Sequence, residues 1–290
     1  MIIKYNIKPV LKWVGGKRKL IPHIREYYKN LTPKKYIEPF FGGGAVYIDI
    51  LHTLGMDYKE TSIINDINQD LIELYRNIKI HPDEIIYHCK QIKKDYKKYG
   101  YYFIRQKYNG IDSDKNKIDK YEGVERSAAL IVINRTCFNG LYRVNRAGLF
   151  NVPEGSYKNP TIIDEDNLYH LSYLLPAINN IRNQEFDKIE DINKGDLVYF
   201  DPPYHPLNAT SSFTSYSGIF GNDEQIRLRD YFEKLNKNGV HVILSNSSSK
   251  FIKEIYGKYN IQEVYCGRSI NSKGNKRGKI PEYLILGENF

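Results

Sequence analysis

The stretch Lys35–Leu54, KYIEPFFGGGAVYIDILHTL, decides the fold class of this chain. Its opening residues, KYIEPF, are typical of a short strand, and the three glycines that follow favour a tight turn. The remainder, GAVYIDILHTL, predicts a helix that ends at Leu54. A strand, a glycine turn and a helix in this order indicate the start of a βαβ arrangement.

The same alternation of strand and helix recurs along the chain. Ser62–Ile67 predicts a strand, and Asn68–Ile78 predicts the helix that follows it. The later elements are strand Leu197–Phe200, helix Asp223–Leu235, strand His241–Asn246, helix Ser248–Tyr256, and strands Ile261–Cys266 and Glu282–Leu286. This pattern predicts an α/β fold, a doubly wound and mostly parallel sheet with helices on both faces.

The middle of the chain, about residues 80–165, breaks this rhythm. Helices are predicted at Pro82–Asp95, Tyr101–Tyr108 and Val124–Thr136. A β-hairpin is then predicted from Leu141–Asn145 and Leu149–Val152, joined by the turn Arg146-Ala147-Gly148. We interpret this region as a second, inserted domain that is mainly helical and carries a β-hairpin.

The composition is that of a globular protein with a basic surface. The 290 residues are 41% hydrophobic and 27% charged, and 43 Lys and Arg against 34 Asp and Glu leave a net charge of +9. This excess favours a polyanionic partner, either nucleic acid or an anionic membrane surface, although it also serves solubility alone. The 26 tyrosines include rings that could stack on bases, but most are expected to be ordinary half-buried aromatics.

Several classes of protein and site are disfavoured. Three widely spaced cysteines argue against a disulfide framework and against a zinc site. No signal peptide or membrane-spanning run is visible, so we expect a cytoplasmic protein that does not enter a membrane. The calcium-loop pattern that begins at Asp112 fails because Lys117 and Gly123 occupy its glycine and glutamate positions. No metal site is predicted.

Phe40–Gly44, FFGGG, places glycines between a predicted strand and a predicted helix, where the backbone can approach a ligand closely. Asp66 ends the next strand, and a carboxylate there can hold the two ribose hydroxyls of an adenosine-type cofactor. Tyr47 replaces the third glycine of a dinucleotide fingerprint, which favours a methionine-bearing nucleoside over NAD. The alternatives are an ordinary turn and a capping aspartate.

Asp201-Pro202-Pro203-Tyr204 directly follows the apolar strand LVYF. The two prolines stiffen the turn and remove two backbone donors. Asp201 and the Pro202 carbonyl then form a pair of acceptors that matches the two N–H donors of an exocyclic amino group, and Tyr204 offers a flat face to a planar base. The alternative is a Pro-Pro loop with a capping aspartate.

Taken together, the motifs resemble those of the Dam family of DNA adenine methyltransferases, in the same order. They are Lys12–Lys17 (KWVGGK), Glu38–Gly44 (EPFFGGG), Asn65–Asn68 (NDIN), Phe138–Asn145 (FNGLYRVN), Phe150–Pro153 (FNVP), Asp201–Tyr204 (DPPY), Ser212–Tyr216 (SFTSY) and Leu244–Ser247 (LSNS). The resemblance covers nearly the whole chain and is closest to the DpnII-type GATC methylases. It implies a Rossmann-like class I methyltransferase fold. Residues 1–78 and 166–290 would form the S-adenosylmethionine-dependent domain, and 79–165 the DNA target-recognition domain.

The resemblance also implies roles for individual residues in binding S-adenosylmethionine and in catalysis. The cofactor-binding set is Trp13, Lys17, Phe40, Gly42, Gly44, Asp66, Glu185, Phe186 and Asp201. The catalytic set is Asp201, Pro202, Pro203 and Tyr204. The reaction implied is transfer of a methyl group from S-adenosylmethionine to the 6-amino nitrogen of an adenine flipped out of duplex DNA.

A third set is expected to contact double-stranded DNA. By resemblance it contains Lys12, Phe138, Asn139, Leu141, Arg143, Pro153 and Tyr157. Relatives carry tyrosine more than phenylalanine at Phe138, so the ring is kept and the hydroxyl is lost. Arg143 is the candidate for reading a guanine, with a phosphate contact as the alternative. The basic loop 268–279, with Lys276 and Arg277, is expected to contact phosphates, with a mobile, solvated loop as the alternative.

Rival functions share parts of this pattern. An RNA adenine or protein amide methyltransferase would use the same chemistry, but a protein glutamine methylase of this fold typically has Asn where this chain has Asp201. An intact motif 201–204 disfavours a non-catalytic DNA-binding regulator, and Tyr47 disfavours a nicotinamide oxidoreductase. The resemblance implies a monomer. It leaves open a functional pairing with a restriction endonuclease, without a stable complex.

Overall fold

The computed structural model describes residues 7–207, 220–267 and 279–290. Its helices are α1 Ile21–Tyr28, α2 Ala45–Leu54, α3 Tyr58–Thr61, α4 Gln69–Ile80, α5 Pro82–Tyr99, α6 Tyr101–Asn109, α7 Gly123–Thr136, α8 Glu165–Leu174, α9 Asn222–Lys237 and α10 Lys250–Ile255. Its strands are β1 Tyr36–Glu38, β2 Ile63–Asn65, β3 Ile181–Arg182, β4 Leu197–Phe200, β5 His241–Ser247, β6 Asn260–Gly267 and β7 Lys279–Leu286.

The strands form one sheet in the order β3-β2-β1-β4-β5-β7-β6. Strand β1 lies parallel to β2 and to β4, and β4 lies parallel to β5. Strand β7 is antiparallel to both β5 and β6. Because β2, β1 and β4 are parallel neighbours, the residues that follow them lie at the same edge of the sheet. These residues include Asp66, Phe40 and Asp201.

Apolar strands and one amphipathic helix build the core of this sheet. All four residues of β4 are buried, as expected for a strand covered on both faces. Helix α9 contributes Leu228, Phe232 and Leu235 to the same cluster, at the i, i+4, i+7 spacing of one helix face. The motif that follows β4 therefore starts from a rigid, fully packed strand.

Contacts divide the chain into two compact units, which we call the sheet unit and the helical unit. The sheet unit consists of residues 17–41, 49–67 and 182–290, and the helical unit of residues 1–16, 42–48 and 68–181. In the helical unit, α7 packs against α4, α5 and α6. Apolar residues surround α7 on nearly every side, which suits a helix at the centre of such a bundle.

The predicted hairpin forms a turn with little strand pairing. One antiparallel bridge joins Val144 and Phe150, and the backbone N–H of Asn145 donates to the carbonyl of Leu149 at 2.9 Å. The amide of Leu149, which a regular hairpin would pair with the Asn145 carbonyl, donates instead to Asn145 Oδ1 at 3.0 Å. On the side that faces away from this bridge, Asn109 Oδ1 accepts from Phe150 N at 2.9 Å.

The predicted α/β class and mostly parallel sheet are confirmed. Apart from the two strands of the hairpin, the helices and strands named from the sequence are present, with bounds that differ by a few residues. Four short elements, α1, α3, α8 and β3, were not anticipated. No helix in the described ranges combines the length and the apolar character needed to cross a membrane.

Candidate active site

Asp201 lies at the carboxyl end of β4, in contact with a buried cation. Lys17 Nζ lies 2.8 Å from Asp201 Oδ1, and the side chain of Lys17 is only 7% exposed. The hydroxyl of Ser245, on the neighbouring strand β5, donates to the same oxygen at 3.0 Å. Ser245 Oγ also lies 2.8 Å from the hydroxyl of Tyr199. The carboxylate is therefore fixed from two directions.

Several neighbouring groups shift the pKa of Asp201 in opposite directions. Burial raises the pKa of this carboxyl above its usual value, because the charged form loses hydration. The charge and hydrogen bond of Lys17 act in the opposite direction, as does the hydroxyl of Ser245. Glu282 on β7 adds a nearby negative charge that raises the pKa further. The ion pair with Lys17 is thus the main support for an ionised Asp201.

The carbonyls of Pro202 and Pro203 differ in their hydrogen bonding. The Pro203 carbonyl accepts from Gln225 Nε2 of α9 at 2.9 Å, and Gln225 Oε1 accepts from Asn246 Nδ2 at 3.0 Å. Among the described residues, no donor reaches the Pro202 carbonyl. The loop is therefore held through Pro203, and the Pro202 carbonyl remains as an acceptor next to Asp201.

Tyr204 is held at its ring and at its hydroxyl. The hydroxyl donates to Glu282 Oε2 at 2.9 Å, and burial raises the pKa of Tyr204 so that it stays protonated. Lys17 Nζ lies 4.6 Å from the ring centroid, which is cation–π distance. One buried ammonium thus contacts both Asp201 and the tyrosine ring.

The loop after β2 is fixed by the buried side chain of Asn65. Its Nδ2 donates to the carbonyls of Pro39 and Gln184, both at 3.0 Å, and its Oδ1 accepts from Gln184 N at 3.1 Å. Asn183 Nδ2 donates to the Asp66 carbonyl at 2.8 Å. Asn65 therefore ties together the loops that carry Phe40, Asp66 and Glu185.

An aromatic cluster lies beside these loops. Phe40 contacts Phe186 at 5.4 Å and Phe220 at 5.7 Å between ring centroids. The guanidinium of Arg227 lies 4.6 Å from the Phe186 ring centroid and 3.1 Å from Glu185 Oε2. Glu185 and Phe186 are thus oriented by the same arginine of α9.

In the helical unit, Trp13 packs directly on the glycine loop. Gly42 has φ +50°, and a Cβ there would lie 2.9 Å from Trp13 Cδ1. The Gly42 carbonyl accepts from the Tyr75 hydroxyl at 2.9 Å. On its other side, Trp13 stacks with Tyr142 at 5.5 Å between centroids. Gly44, at the end of the same loop, also has a positive φ, +69°.

Tyr142 is in turn held by Asp70 at the start of α4. Asp70 accepts from the hydroxyls of Tyr142 at 3.1 Å and Tyr108 at 2.7 Å, and from Arg126 Nε at 2.8 Å. Burial alone would raise the pKa of Asp70, but the hydrogen bonds and charge of Arg126 and the two hydroxyls hold it below its usual value. This cluster anchors the predicted recognition segment to α4.

Lys12 belongs to the same part of the helical unit. Its backbone N–H donates to Asn134 Oδ1 at 2.8 Å, and Asn134 Nδ2 donates to the carbonyls of Lys12 and Gly140 at 3.1 and 3.0 Å. Gly140 has φ +63°, and a side chain there would clash with Lys12. The ammonium of Lys12 lies 3.9 Å from the ring centroid of Tyr157.

The other predicted DNA-contacting residues line the neighbouring surface. Phe138 is 47% exposed, and its backbone N–H donates to the Pro153 carbonyl at 2.9 Å. Asn139 is exposed with φ 54°, and Leu141 is half-buried. The structure thus brings Phe138, Asn139 and Pro153 together on an exposed surface.

Arg143 is oriented across the turn by Asn151. Its Nε donates to Asn151 Oδ1 at 2.7 Å, and the Asn151 backbone N–H donates to the Arg143 carbonyl at 3.0 Å. Its Nη2 also donates to the Asn151 carbonyl at 3.4 Å, so Asn151 holds the guanidinium at two of its nitrogens. Lys276, Arg277 and the segment Ser212–Tyr216 lie outside the described residues.

Several residues that contact the site were not assigned roles from the sequence, among them Asn65, Ser245 and Glu282. Asn65 and Ser245 stand inside the quoted motifs NDIN and LSNS, and Glu282 is a charged residue at the start of an apolar strand. Within the described part of the chain, no cluster of three or more His, Cys, Asp or Glu side chains is arranged to hold a metal ion.

Comparisons with known proteins agree with this geometry. Residues 13–270 match the family described as D12 class N6 adenine-specific DNA methyltransferases. A type II methyltransferase of Lactococcus lactis subsp. cremoris, M1.LlaDCHI, is 41% identical over 97% of this chain and 96% of its own length. Another, M.MjaIII of Methanocaldococcus jannaschii, is 43% identical over 97% and 99%. A DNA adenine methylase of Vibrio cholerae is 33% identical over 95% and 94%.

Proposed function

The chain belongs to the D12 class of N6 adenine-specific DNA methyltransferases, and from this premise we propose how it works. It transfers a methyl group from S-adenosylmethionine to an adenine that is flipped out of a GATC site in duplex DNA. The observation that carries the proposal is the ion pair that holds the Asp201 carboxylate at the carboxyl end of β4. Asp201 and the Pro202 carbonyl that follows it would form a pair of acceptors, with Tyr204 in the same loop.

The acceptor pair suits the 6-amino group of adenine. The lone pair of that nitrogen is delocalised into the ring, so the nitrogen is a weak nucleophile. Asp201 and the Pro202 carbonyl would accept its two N–H bonds, draw it towards tetrahedral geometry and localise the lone pair. Lys17 and Ser245 both contact Oδ1 of Asp201, and the other carboxylate oxygen would accept from the substrate. The contribution is positioning and charge placement, and the proton leaves readily once the nitrogen is methylated.

Tyr204 would receive the base. Lys17 lies over one face of its ring, and the base would stack on the opposite face. Flipping an adenine costs a few kcal/mol, and stacking on an aromatic ring returns about 1–3 kcal/mol of it. Phe138, exposed on the helical unit, is the proposed wedge that keeps the vacated position open.

The residues present fit S-adenosylmethionine. Asp66 follows β2, and Asn183 Nδ2 holds its backbone carbonyl, so its carboxylate would bind the ribose hydroxyls from a fixed loop. Phe40, Glu185 and Phe186 form the aromatic and acidic surroundings expected for the adenine ring. The helical unit contains three further residues that are proposed to bind the cofactor: Trp13, Gly42 and Gly44. When bound, the cofactor supplies a methyl group on a positively charged sulfur.

DNA recognition is proposed for residues 79–165 together with Lys12. Arg143 would read a guanine, because a guanidinium matches the two major-groove acceptors of guanine. Lys12, Asn139, Leu141, Pro153 and Tyr157 would contact the duplex around it. Lys276 and Arg277 would contact phosphates.

The cellular context is part of the proposal. We expect a monomer in the cytoplasm, and relatives named type II methyltransferases support a modification role beside a restriction endonuclease without a stable complex.

Sequencing of DNA from a host that lacks adenine methylation tests the proposal. Expression of the chain should place 6-methyladenine at GATC sites, and expression of Asp201→Ala should not. Absence of 6-methyladenine with the parent chain would overturn the activity. Methylation confined to another sequence would overturn the GATC assignment alone.

A further inference from the structure

We propose that Glu282 of β7 is a positioning residue of the methyltransferase reaction, which fixes the ring of Tyr204 through its hydroxyl and adds a negative charge beside Asp201. The inference rests on the proposed function, since it assigns Tyr204 and Asp201 to the reaction. It concerns a residue outside the sequence motifs of the family that we identified.

The first support is the hydrogen bond itself. The Tyr204 hydroxyl donates to Glu282 Oε2 at 2.9 Å, and Tyr204 stays protonated because burial raises its pKa. A hydrogen bond to a carboxylate is stronger than one between neutral groups. The ring itself contacts the Lys17 ammonium, 4.6 Å from its centroid. Tyr204 is therefore fixed at two points, the hydroxyl and one face.

The second support is the rigidity of Glu282. Strand β7 lies between β5 and β6, and Glu282 pairs with Ser247 on one side and Val264 on the other. A residue in a strand that is paired along both of its edges cannot shift without breaking the sheet. The antiparallel strand β7 thus places the Glu282 carboxylate at the same end of the sheet as the motif after β4.

The third support is electrostatic. Asp201 is surrounded by groups from four elements and its own loop: Lys17 from the 3₁₀ turn 17–19, Tyr199 from β4, Ser245 from β5, Glu282 from β7, and Tyr204. The charge of Glu282 raises the pKa of Asp201, opposite to the effect of Lys17. Removal of that charge should therefore lower the pKa of Asp201 and extend activity to lower pH.

The experiment compares two substitutions that separate the hydrogen bond from the charge. Glu282→Gln keeps an acceptor for the Tyr204 hydroxyl and removes the charge. Its kcat at the pH optimum should stay within about threefold of the parent, and the acid limb of its pH–rate profile should move to lower pH. Glu282→Ala removes both, and its kcat should fall about tenfold with little change in the KM for S-adenosylmethionine.

A double-mutant cycle shows whether Glu282 acts through Tyr204. Tyr204→Phe should lower kcat by a factor similar to that of Glu282→Ala, and the double variant should lose little more, because both remove the same hydrogen bond. Glu263→Ala, an exposed carboxylate on β6, is the matched control and should behave as the parent. Thermal melts confirm that each variant is folded.

Two results would overturn the inference: parental kcat in Glu282→Ala, or independent, multiplying losses in the cycle. An unshifted acid limb in Glu282→Gln would remove the electrostatic part. Loss of activity in Asp201→Ala alongside an active Glu282→Ala refutes only this inference. An active Asp201→Ala refutes the proposed function itself.

Discussion

Lys17 Nζ lies 2.8 Å from Asp201 Oδ1, and both residues belong to the sheet unit. The resemblance implies that Lys17 binds the cofactor, whereas its observed contact is an ion pair with the central carboxylate. Loss of one partner of a buried ion pair leaves an uncompensated charge, which is costly. We infer that Lys17 also maintains the charge state of Asp201.

We expect Lys17→Met to lower methyl transfer at neutral pH by at least about 100-fold. Without the ammonium, burial dominates and the pKa of Asp201 rises, so the residual activity should require higher pH than that of the parent. The pH–rate profile of both proteins measures this shift. Lys19→Met, an exposed lysine of the same turn, serves as the control. An acid limb at the parental position would show that Lys17 does not set the charge of Asp201.

Asp66→Ala should weaken S-adenosylmethionine binding and leave DNA binding unchanged. Each charge-assisted hydrogen bond to a ribose hydroxyl contributes about 1.5–3 kcal/mol, so loss of one raises Kd about 10- to 150-fold. Titration of both ligands by calorimetry measures the difference, with the exposed Asp57→Ala as the control. Unchanged cofactor affinity in Asp66→Ala would exclude the ribose role.

Arg143→Ala should relax discrimination at one guanine of the target. The expected loss is about 1–3 kcal/mol on the correct sequence and little on a sequence altered at that base pair. Asn151→Ala should produce a smaller loss at the same base pair, because Asn151 orients the guanidinium. Binding to duplexes that differ at one base pair, over a salt series, measures both.

We expect a different result for Lys276→Ala and Arg277→Ala, because these two residues are proposed to contact phosphates. Each should weaken all duplexes about equally and lower the salt dependence by about one counterion. If Arg143→Ala gives that same uniform pattern, Arg143 contacts phosphate and does not read a base.

Asp70→Asn should destabilise the helical unit at neutral pH by about 2 kcal/mol, because the charged hydrogen bonds with Arg126 are weakened. The folded-state pKa of Asp70 lies below its usual value, so the stabilisation is present at neutral pH and is lost as pH falls through that lowered pKa. The difference between parent and variant should therefore shrink as the pH falls below the ordinary pKa of an aspartate and through the lowered pKa of Asp70. Urea denaturation at several pH values measures it, with the exposed Asp114→Asn as the control. A gap that stays constant with pH would contradict the ion-pair explanation.

The sequence predicted the fold because its strands and helices alternate with clear glycine and proline boundaries. The motif after β4 was predicted for the same reason, since an apolar strand followed by Asp201-Pro202 has few structural alternatives. The contacts of Glu282 could not be predicted, because they depend on β7 inserting antiparallel between β5 and β6. The predicted hairpin strands pair through a single bridge between Val144 and Phe150, because strand patterns do not reveal that the side chain of Asn145 takes the backbone amide of Leu149.

The most direct test of the central claim is transfer of a labelled methyl group from S-adenosylmethionine to a GATC duplex by the parent chain and by Asp201→Ala. The two proteins are first matched for thermal stability and for binding of both ligands. The acceptor-pair mechanism predicts label on the 6-amino nitrogen of adenine with the parent, and a loss of at least about 100-fold with the variant. Activity of a folded Asp201→Ala within about tenfold of the parent would contradict it.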